Sequence, residues 1–305
     1  MTARGIRVLP ADASEDAWLD APLTEPGLYN IPADQYHADP VEGGSLSSHG
    51  IRDLLPPSCP ALYRHNRDHP AAPKKEYDLG HAAHKLVLHT GPELVLVDRD
   101  RWDTNEVKAQ LAEIRAAGGV PLKRKDWDAV HAMADQIRAH PIAGRLLRPE
   151  LGKAEQTIVW RDESTGVWCR AMLDWMGVTL VGAPLLLDYK TAECAHPATF
   201  ARSAGSYGYD IQEAHYEDGY QAVVGVVPLF LFVVQEKEPP YLVTVAQLDA
   251  ADVDRARAVC RAGCAVYRDC TTSGLWPGYG SDIAQISLPK YMQRTREEAI
   301  YGDQY

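Results

Sequence analysis

The sequences RAMLDW at residues 170–175 and LLDYKT at residues 186–191 decide how this chain is expected to fold. Both are short β-rich runs, and turn residues lie between them, which is typical of neighbouring strands. Asp174 lies late in the first run and Asp188 lies late in the second. Lys190 follows Asp188 by two residues, so both side chains are expected to leave the same face of one strand.

Two adjacent strands can therefore bring two carboxylates and one ammonium group together. Carboxylate oxygens are the hard ligands that Mg²⁺ and Mn²⁺ prefer. A metal ion held there can activate water and stabilise charge on a phosphodiester under attack, with Lys190 orienting the water or neutralising the developing charge. Taken alone, the same pattern is also typical of a surface salt bridge between Lys190 and an acid. Motifs elsewhere in the sequence are needed to distinguish a catalytic site from such a salt bridge.

Strand and helix patterns continue on both sides of these two runs. A further β-rich run precedes them, so three consecutive strands at residues 156–161, 167–176 and 185–191 are expected to pair as a meander. Downstream, apolar residues at helical spacing alternate with two more β-rich runs. The predicted downstream elements are a helix at 209–224, strands at 229–235 and 241–247, a helix at 250–270 and a helix near 289–300.

Helical patterns dominate the part of the chain that precedes the strands. Serines that can cap a helix come just before Ile51, Leu54 and Leu55. The predicted helices there span 45–55, about 58–67, 78–89 with Asp78 as the cap, 104–117 and 125–140. The chain is therefore expected to be an α/β protein with a mixed central sheet flanked by helices and an extra helical N-terminal part.

The predicted domain organisation is simple. Residues 1–44 are rich in Pro, Asp and Gly with little periodicity, and they are interpreted as a mostly irregular arm. Residues 45–305 are interpreted as one domain. It divides into a helical part at 45–150, a catalytic sheet core at 151–250, and C-terminal helices and tail at 251–305.

Composition excludes some classes of function. The chain has 305 residues and a net charge of −11, from 31 Lys+Arg against 42 Asp+Glu, which argues against a protein that coats nucleic acid by bulk attraction. A nuclease remains compatible if positive charge is concentrated where DNA runs. No apolar run approaches the roughly 18–20 residues of a membrane span. The first residues lack an apolar signal core, so a cytoplasmic location is expected.

Further motifs accompany the strand pair in a fixed order. They are Tyr36-His37 with Leu46-Ser47-Ser48, then Gly80-His81-Ala82-Ala83-His84, and, after the strands, Gln212-Glu213-Ala214-His215-Tyr216. With the two carboxylates and Lys190, this set resembles the PD-(D/E)XK (restriction-endonuclease-like) nuclease core. More narrowly, it resembles the RecE-like exonuclease branch of phages and prophages, which is related to RecB nuclease domains. The resemblance runs from about Tyr36 to Pro289.

The resemblance implies roles for individual residues. The metal ligands, for Mg²⁺ or Mn²⁺, would be His84, Asp174, Asp188 and the backbone carbonyl of Tyr189. The catalytic residues would be Asp174, Asp188, Lys190, Gln212 and Tyr216. Glu155 could contact the metal indirectly, although a glutamate at the start of a strand is usually solvated. Arg170 could hold a phosphate, but an ion pair explains it equally well.

The resemblance also implies an activity and partners. The expected enzyme is a Mg²⁺-dependent exonuclease that degrades linear double-stranded DNA 5′ to 3′ and leaves 3′ single strands for recombination. The family implies a ring-shaped tetramer around the duplex, with a single-strand annealing recombinase as a further partner. Candidate DNA-binding patches are residues 64–67, Lys74-Lys75, residues 123–125 and residues 290–296, although charge runs are usually only solvated faces.

Two alternatives stay open at this level. Cys59, Cys260, Cys264 and Cys270 are distributed like the ligands of an iron–sulfur cluster in RecB-like nucleases of other polarity. Their spacing departs from the usual tight C-x2-C, and cysteines on an Ala-rich helix also fit an apolar core, so a cluster is not expected. The second alternative is a non-catalytic DNA-binding or assembly module that retains the fold.

Overall fold

The computed structural model describes residues 18–69, 79–99 and 101–302 of the chain. The strands are β1 (Gly27–Tyr29), β2 (Leu94–Leu96), β3 (Val120–Leu122), β4 (Gly152–Arg161), β5 (Trp168–Val178), β6 (Pro184–Ala192), β7 (Leu229–Glu236) and β8 (Val243–Ala246). The helices are α1 (Ala33–His37), α2 (Ser48–Leu54), α3 (Pro60–Asp68), α4 (Leu79–Leu88), α5 (Asn105–Ala116), α6 (Arg124–Ala139), α7 (Ala143–Leu146), α8 (Pro197–Tyr207), α9 (Tyr209–Val224), α10 (Ala250–Ser273) and α11 (Lys290–Tyr301).

Within the described residues, six strands form a mixed sheet in the order β1-β4-β5-β6-β7-β8. Neighbouring strands are antiparallel except β6 and β7, which are parallel from Leu185↔Leu229 to Ala192↔Glu236. The parallel pair follows from α8 and α9, because a helical crossover returns the chain to the end of the sheet from which β6 started. The predicted meander of three strands is thus observed as β4-β5-β6.

Helices cover both faces of the sheet, as the sequence predicted. One core lies between the sheet and α2, α8, α9 and α10, and the other lies between the sheet and α4, α6 and α7. Along β6, Leu186 belongs to the first core, whereas Leu185, Leu187 and Tyr189 belong to the second. This alternation places Asp188 and Lys190 on the face that α9 covers.

The long helices begin and end close to the predicted residues. Helix α9 has the predicted bounds because Gly208 precedes it and Gly225 follows it, with left-handed φ values of 71° and 88°. Helix α2 begins after Ser47, whose hydroxyl accepts a hydrogen bond from the Gly50 N–H at 3.2 Å. The predicted cap Asp78 of α4 lies outside the described residues.

The segment before residue 45 contributes more regular structure than was expected. Strand β1 extends the sheet by pairing with β4 from Gly27↔Val159 to Tyr29↔Thr157. Helix α1 carries the buried Tyr36. The rest of residues 18–44 is mainly irregular, and residues 1–17 of the predicted arm lie outside the described part of the chain.

The C-terminal segment contrasts with the packed body. Every described side chain from residue 277 onwards is exposed, including those of α11, which carries the predicted basic patch at 290–296. Among the described residues, no helix combines the length and the apolar character that a membrane crossing requires.

Candidate active site

Strands β5 and β6 separate next to Asp174 and Asp188, the two acids that the sequence singled out. The ladder between β5 and β6 runs from Val178↔Pro184 to Trp175↔Leu187 and stops there. Beyond that point, the Tyr189 N–H donates a hydrogen bond to Asp174 Oδ2 at 3.0 Å, so a side chain takes the place of a backbone acceptor. Asp174 therefore lies at the point of divergence, beside Asp188 on the neighbouring strand.

In β5, the alternation of side chains between the two faces of the sheet is interrupted at Asp174. Leu173 and Trp175 are two residues apart, yet Leu173 packs in the α9 core and Trp175 packs in the α4 core. In a regular strand they would share a face. Across the ladder, Glu155 lies between the paired residues Ala154 and Gln156 and has a positive φ of 49°. The irregular backbone at this level reorients Asp174 and Glu155 toward a common site.

Asp188 is the most enclosed group of the site, with 1% of its surface exposed. Lys190 Nζ lies 2.7 Å from Asp188 Oδ2, and Gln212 Nε2 of α9 donates to Asp188 Oδ1 at 2.6 Å. Burial raises the pKa of Asp188, and the nearby Asp174 adds to that rise, whereas Lys190 opposes it. Burial alone would lower the pKa of Lys190, but Asp188 and Asp174 outweigh it and raise that pKa. Lys190 is therefore a cation at neutral pH.

His84 reaches the site from α4, on the other side of the sheet. Its Nε2 atom lies 3.1 Å from Asp174 Oδ2, and its Nδ1 atom lies 3.8 Å from Glu155 Oε1. Burial would lower the pKa of His84, but Asp174 and Glu155 outweigh it and raise the pKa. Burial would raise the pKa of Asp174, but His84 and Lys190 hold it below its usual value. Glu155, a weak candidate in the sequence, is thus part of the cluster.

A cavity of about 720 Å³ opens onto these groups. Asp174, Asp188, Lys190, Gln212 and Tyr216 all line it, so the predicted catalytic side chains share one chamber. Tyr216 is largely buried, and burial raises the pKa of its phenol well above the ordinary value. It contributes a neutral hydroxyl group at physiological pH.

The donor set fits a hard divalent cation in its chemistry. Two carboxylates and an imidazole lie together, and Asp188 Oδ2, apart from its ion pair with Lys190, accepts no hydrogen bond from any described residue. Across residues 18–69, 79–99 and 101–302, however, no three His, Cys, Asp or Glu side chains are arranged as a ready-made metal site. Each carboxylate instead has a nitrogen neighbour, with Asp174 Oδ2 3.1 Å from His84 Nε2 and Asp188 Oδ2 2.7 Å from Lys190 Nζ.

The remaining predicted residues have definite partners. The side chain of Tyr189 points into the opposite core, where its hydroxyl donates to Gln235 Oε1 at 2.6 Å, and the metal-binding role of its carbonyl stays a prediction. Arg170 forms the ion pair that was one of its two interpretations, with Nη1 3.0 Å from Asp39 Oδ2. Its side chain also lines the cavity.

The cysteines occupy core positions. All six, each within the described part of the chain, are free thiols. Cys260 and Cys264 are buried on α10, and Cys264 Sγ lies 3.8 Å from Cys169 Sγ of β5. Burial raises the pKa of Cys260, which keeps it protonated.

Sequence reasoning missed three residues on the rim of the cavity, namely His49, Arg52 and Tyr207. Tyr207 ends α8, a helix that was not predicted. Its start carried a recognisable signal, because Pro197 occupies the first turn and the His196 side chain accepts from the Ala198 N–H at 3.2 Å. His49 and Arg52 carried no local signal that separates them from other polar residues of a surface helix.

A buried carboxyl group beside the site makes stability depend on pH. Glu213 is 2% exposed, and within the described residues its Oε2 atom has no hydrogen-bond partner. Burial, with a further contribution from Glu217, raises its pKa from 4.5 to about 8. The folded protein therefore keeps a proton that the unfolded chain releases above pH 4.5, and this contribution to stability is lost as the pH rises to about 8.

We expect Glu213→Gln, which keeps the shape and removes the titration, to raise the free energy of unfolding at pH 9 relative to the wild type. The gain should be on the order of 1–3 kcal/mol at pH 9 and absent at pH 4.5, and urea unfolding at both values measures it. The exposed Glu238 provides the control Glu238→Gln, for which no such difference is expected. Equal gains at the two pH values would contradict the prediction.

Comparisons with known proteins agree with this architecture. A model of the family described as "PDDEXK-like domain of unknown function (DUF3799)" matches residues 51–288. A solved structure of a protein from Eubacterium rectale, named "Putative exonuclease", superimposes with a TM-score of 0.53 at 11% sequence identity, over 87% of this chain and 98% of that chain. No curated protein gives a significant sequence match. The predicted PD-(D/E)XK fold is confirmed, whereas the RecE-like branch stays a prediction.

Proposed function

From the premise that this chain belongs to the PDDEXK-like family DUF3799, we propose that it is a divalent-metal-dependent nuclease acting on DNA. In its finer form, the proposal is an exonuclease that degrades linear duplexes 5′ to 3′ and leaves 3′ single strands. The finer form rests on the RecE-like resemblance of the motifs around His84, Asp188 and Gln212. Assembly into a homo-oligomer around the duplex belongs to the same proposal.

One observation carries the proposal. Two carboxylates and an ammonium group from diverging strands line one open cavity, and the imidazole of His84, which does not line the cavity itself, lies 3.1 Å from the carboxylate of Asp174. Structural ion pairs are usually found on the surface or fully enclosed. Here the buried charges of Asp174, Asp188 and Lys190 border a chamber large enough for a ligand.

Arginine side chains border the chamber despite the net charge of −11. A second cavity of about 530 Å³ adjoins the first, and both are lined by His37, His49 and Arg170. Arg52 borders the first cavity and Arg67 borders the second. Acids lie beside two of these arginines, with Arg170 Nη1 3.0 Å from Asp39 Oδ2 and Arg52 Nε 3.9 Å from Asp53 Oδ1, so a phosphodiester chain would compete with these acids for the guanidinium groups.

Each residue then has a chemical task. Asp174, Asp188 and His84 are the side chains that would hold Mg²⁺ or Mn²⁺. The bound cation would supply Lewis acidity and lower the pKa of water. Lys190, whose Nζ lies 2.7 Å from Asp188 Oδ2, would stabilise negative charge on the phosphodiester or orient the attacking water. Gln212 orients Asp188 through its 2.6 Å hydrogen bond, and Tyr216 presents a neutral hydroxyl group to the chamber.

The test compares linear and circular DNA. In Mg²⁺, we expect a linear duplex labelled at one 5′ end to lose its label as a small product, while a covalently closed circle of the same sequence stays intact. When the label is placed at the 3′ end of the same strand instead, it should remain on a long strand. EDTA should stop the reaction, because the carboxylates then lack their metal.

Other results lead elsewhere. Cutting of the closed circle would replace the exonuclease proposal with an endonuclease, and early release of the 3′ label would reverse the polarity. If no DNA is cut in Mg²⁺ or Mn²⁺ and calorimetry detects no Mn²⁺ binding, the nuclease proposal is wrong and a non-catalytic module remains.

A further inference from the structure

A pair of aromatic side chains forms one rim of the catalytic cavity. Tyr207, the last residue of α8, and Tyr209, the first residue of α9, flank Gly208 and line the cavity. Tyr207 is 60% exposed, so its ring is accessible from the solvent. Its exposed ring is not needed for the core, since it belongs to neither of the two sheet-covering cores.

The turn that carries these tyrosines is firmly held. Gly208 has a φ of 71°, and a Cβ atom there would approach Arg52 Cδ at 3.3 Å, so glycine permits both the turn and the close contact. Arg52 Nη1 donates to the Tyr207 carbonyl oxygen at 2.7 Å. The Tyr209 ring lies 5.9 Å from the Phe200 ring, which belongs to the core. The backbone of this turn is therefore fixed before any ligand arrives.

The rings of Tyr209 and Tyr207 lie in sequence between the core and the solvent, and Tyr209 is also next to the Lys190 ammonium group. Lys190 Nζ lies 4.8 Å from the centre of the Tyr209 ring. The Tyr207 ring lies 5.8 Å from the Tyr209 ring, and the two planes are inclined by 33°. Only the Tyr209 ring therefore separates the exposed Tyr207 ring from the Lys190 ammonium group, which would contact the scissile phosphodiester.

We propose that Tyr207 is the stacking platform for an unpaired nucleobase next to the scissile phosphodiester, so that the site takes the frayed single-stranded end of a DNA strand. The inference rests on the proposed nuclease function and names the form of substrate that enters the site. Within a duplex, both faces of an internal base are covered by its neighbours, so only an unpaired or terminal base can stack on a protein ring. A cavity of about 720 Å³ also has the size of a small-ligand site and holds nucleotide-sized pieces of one strand.

A rigid tyrosine is well suited to this task. It offers a large flat surface and loses little conformational entropy on binding, because it has few rotatable bonds. Stacking of a base on an aromatic side chain contributes about 1–3 kcal/mol and tolerates any base. A neighbouring phosphate would meet the guanidinium group of Arg52, which also lines the cavity.

The experiment measures binding of a single-stranded 12-mer that carries 2-aminopurine at its 5′ end, with Ca²⁺ in place of Mg²⁺ to prevent hydrolysis. We expect the wild type to quench the 2-aminopurine fluorescence, and Tyr207→Ala to weaken binding about 5- to 100-fold and to abolish the quenching. Tyr207→Phe, which keeps the ring and loses the hydroxyl group, should behave as the wild type. Tyr279→Ala removes a tyrosine that is 76% exposed and does not line the cavity, and it should also change nothing.

The outcomes separate the two levels of the proposal. If Tyr207→Ala binds the single strand as the wild type does, or keeps the quenching, the stacking proposal is overturned while the nuclease proposal stands. If the wild type binds neither the single strand nor a blunt hairpin duplex, the proposed nuclease function fails as well.

Discussion

The double variant Asp188→Asn/Lys190→Met is expected to be about as stable as the wild type and yet to hydrolyse linear DNA at least about 10³-fold more slowly. Asparagine keeps the shape of Asp188 and can still accept the hydrogen bond of Gln212, but it loses the negative charge of the proposed metal ligand. Methionine fills the volume of the Lys190 stem without its charge. Because both charges of a buried pair are removed together, no buried charge is left without a partner.

The two single variants distinguish catalysis from stability. Lys190→Met leaves Asp188, which is 1% exposed, as an uncompensated buried carboxylate, and breaking such a pair costs about 3–5 kcal/mol. Asp188→Asn is expected to cost less, since Lys190 is 22% exposed in its side chain and keeps Asp174 nearby. Nuclease assays and denaturant unfolding on all three variants test this. An active double variant would remove the catalytic assignment.

Gly219→Ala is expected to destabilise the protein by about 1–3 kcal/mol, although alanine normally favours a helix. Gly219 lies on α9 where the helix crosses Trp160 of β4, and a Cβ atom there would lie 2.6 Å from the indole ring. Trp160 cannot easily yield, because it is 4% exposed and its ring also contacts the His215 ring at 4.6 Å. The added methyl group would push α9 away from the sheet and move Gln212 relative to Asp188.

The matched control is Gly205→Ala in α8. An added Cβ atom meets nothing within 4 Å there, so the substitution should stabilise the protein by about 0.4–1 kcal/mol through helix propensity and a less flexible unfolded chain. Thermal or urea unfolding measures both variants, and the nuclease assay should show a loss only for Gly219→Ala. If Gly219→Ala is as stable as Gly205→Ala, the close packing of α9 on Trp160 is not a determinant of the site.

Local patterns were sufficient where an element carries its own signals. The bounds of α9 followed from helical spacing between Gly208 and Gly225, and the meander β4-β5-β6 followed from β-rich runs separated by turns. Short elements were missed for the opposite reason. β1, β2 and β3 have three residues each, and such segments become strands only because a partner strand lies beside them.

By itself, the sequence determined that Asp188 and Lys190 share a strand face, and that an adjacent strand carries Asp174, because the alternation of side chains is a property of any extended chain. Only the tertiary structure decided how these groups meet. The divergence of β5 from β6, the positive φ of Glu155 and the arrival of His84 from α4 all depend on packing between segments far apart in the chain. The pKa of each buried group depends on its desolvation and on its nearest charged neighbour. Both depend on tertiary packing and cannot be read from the sequence.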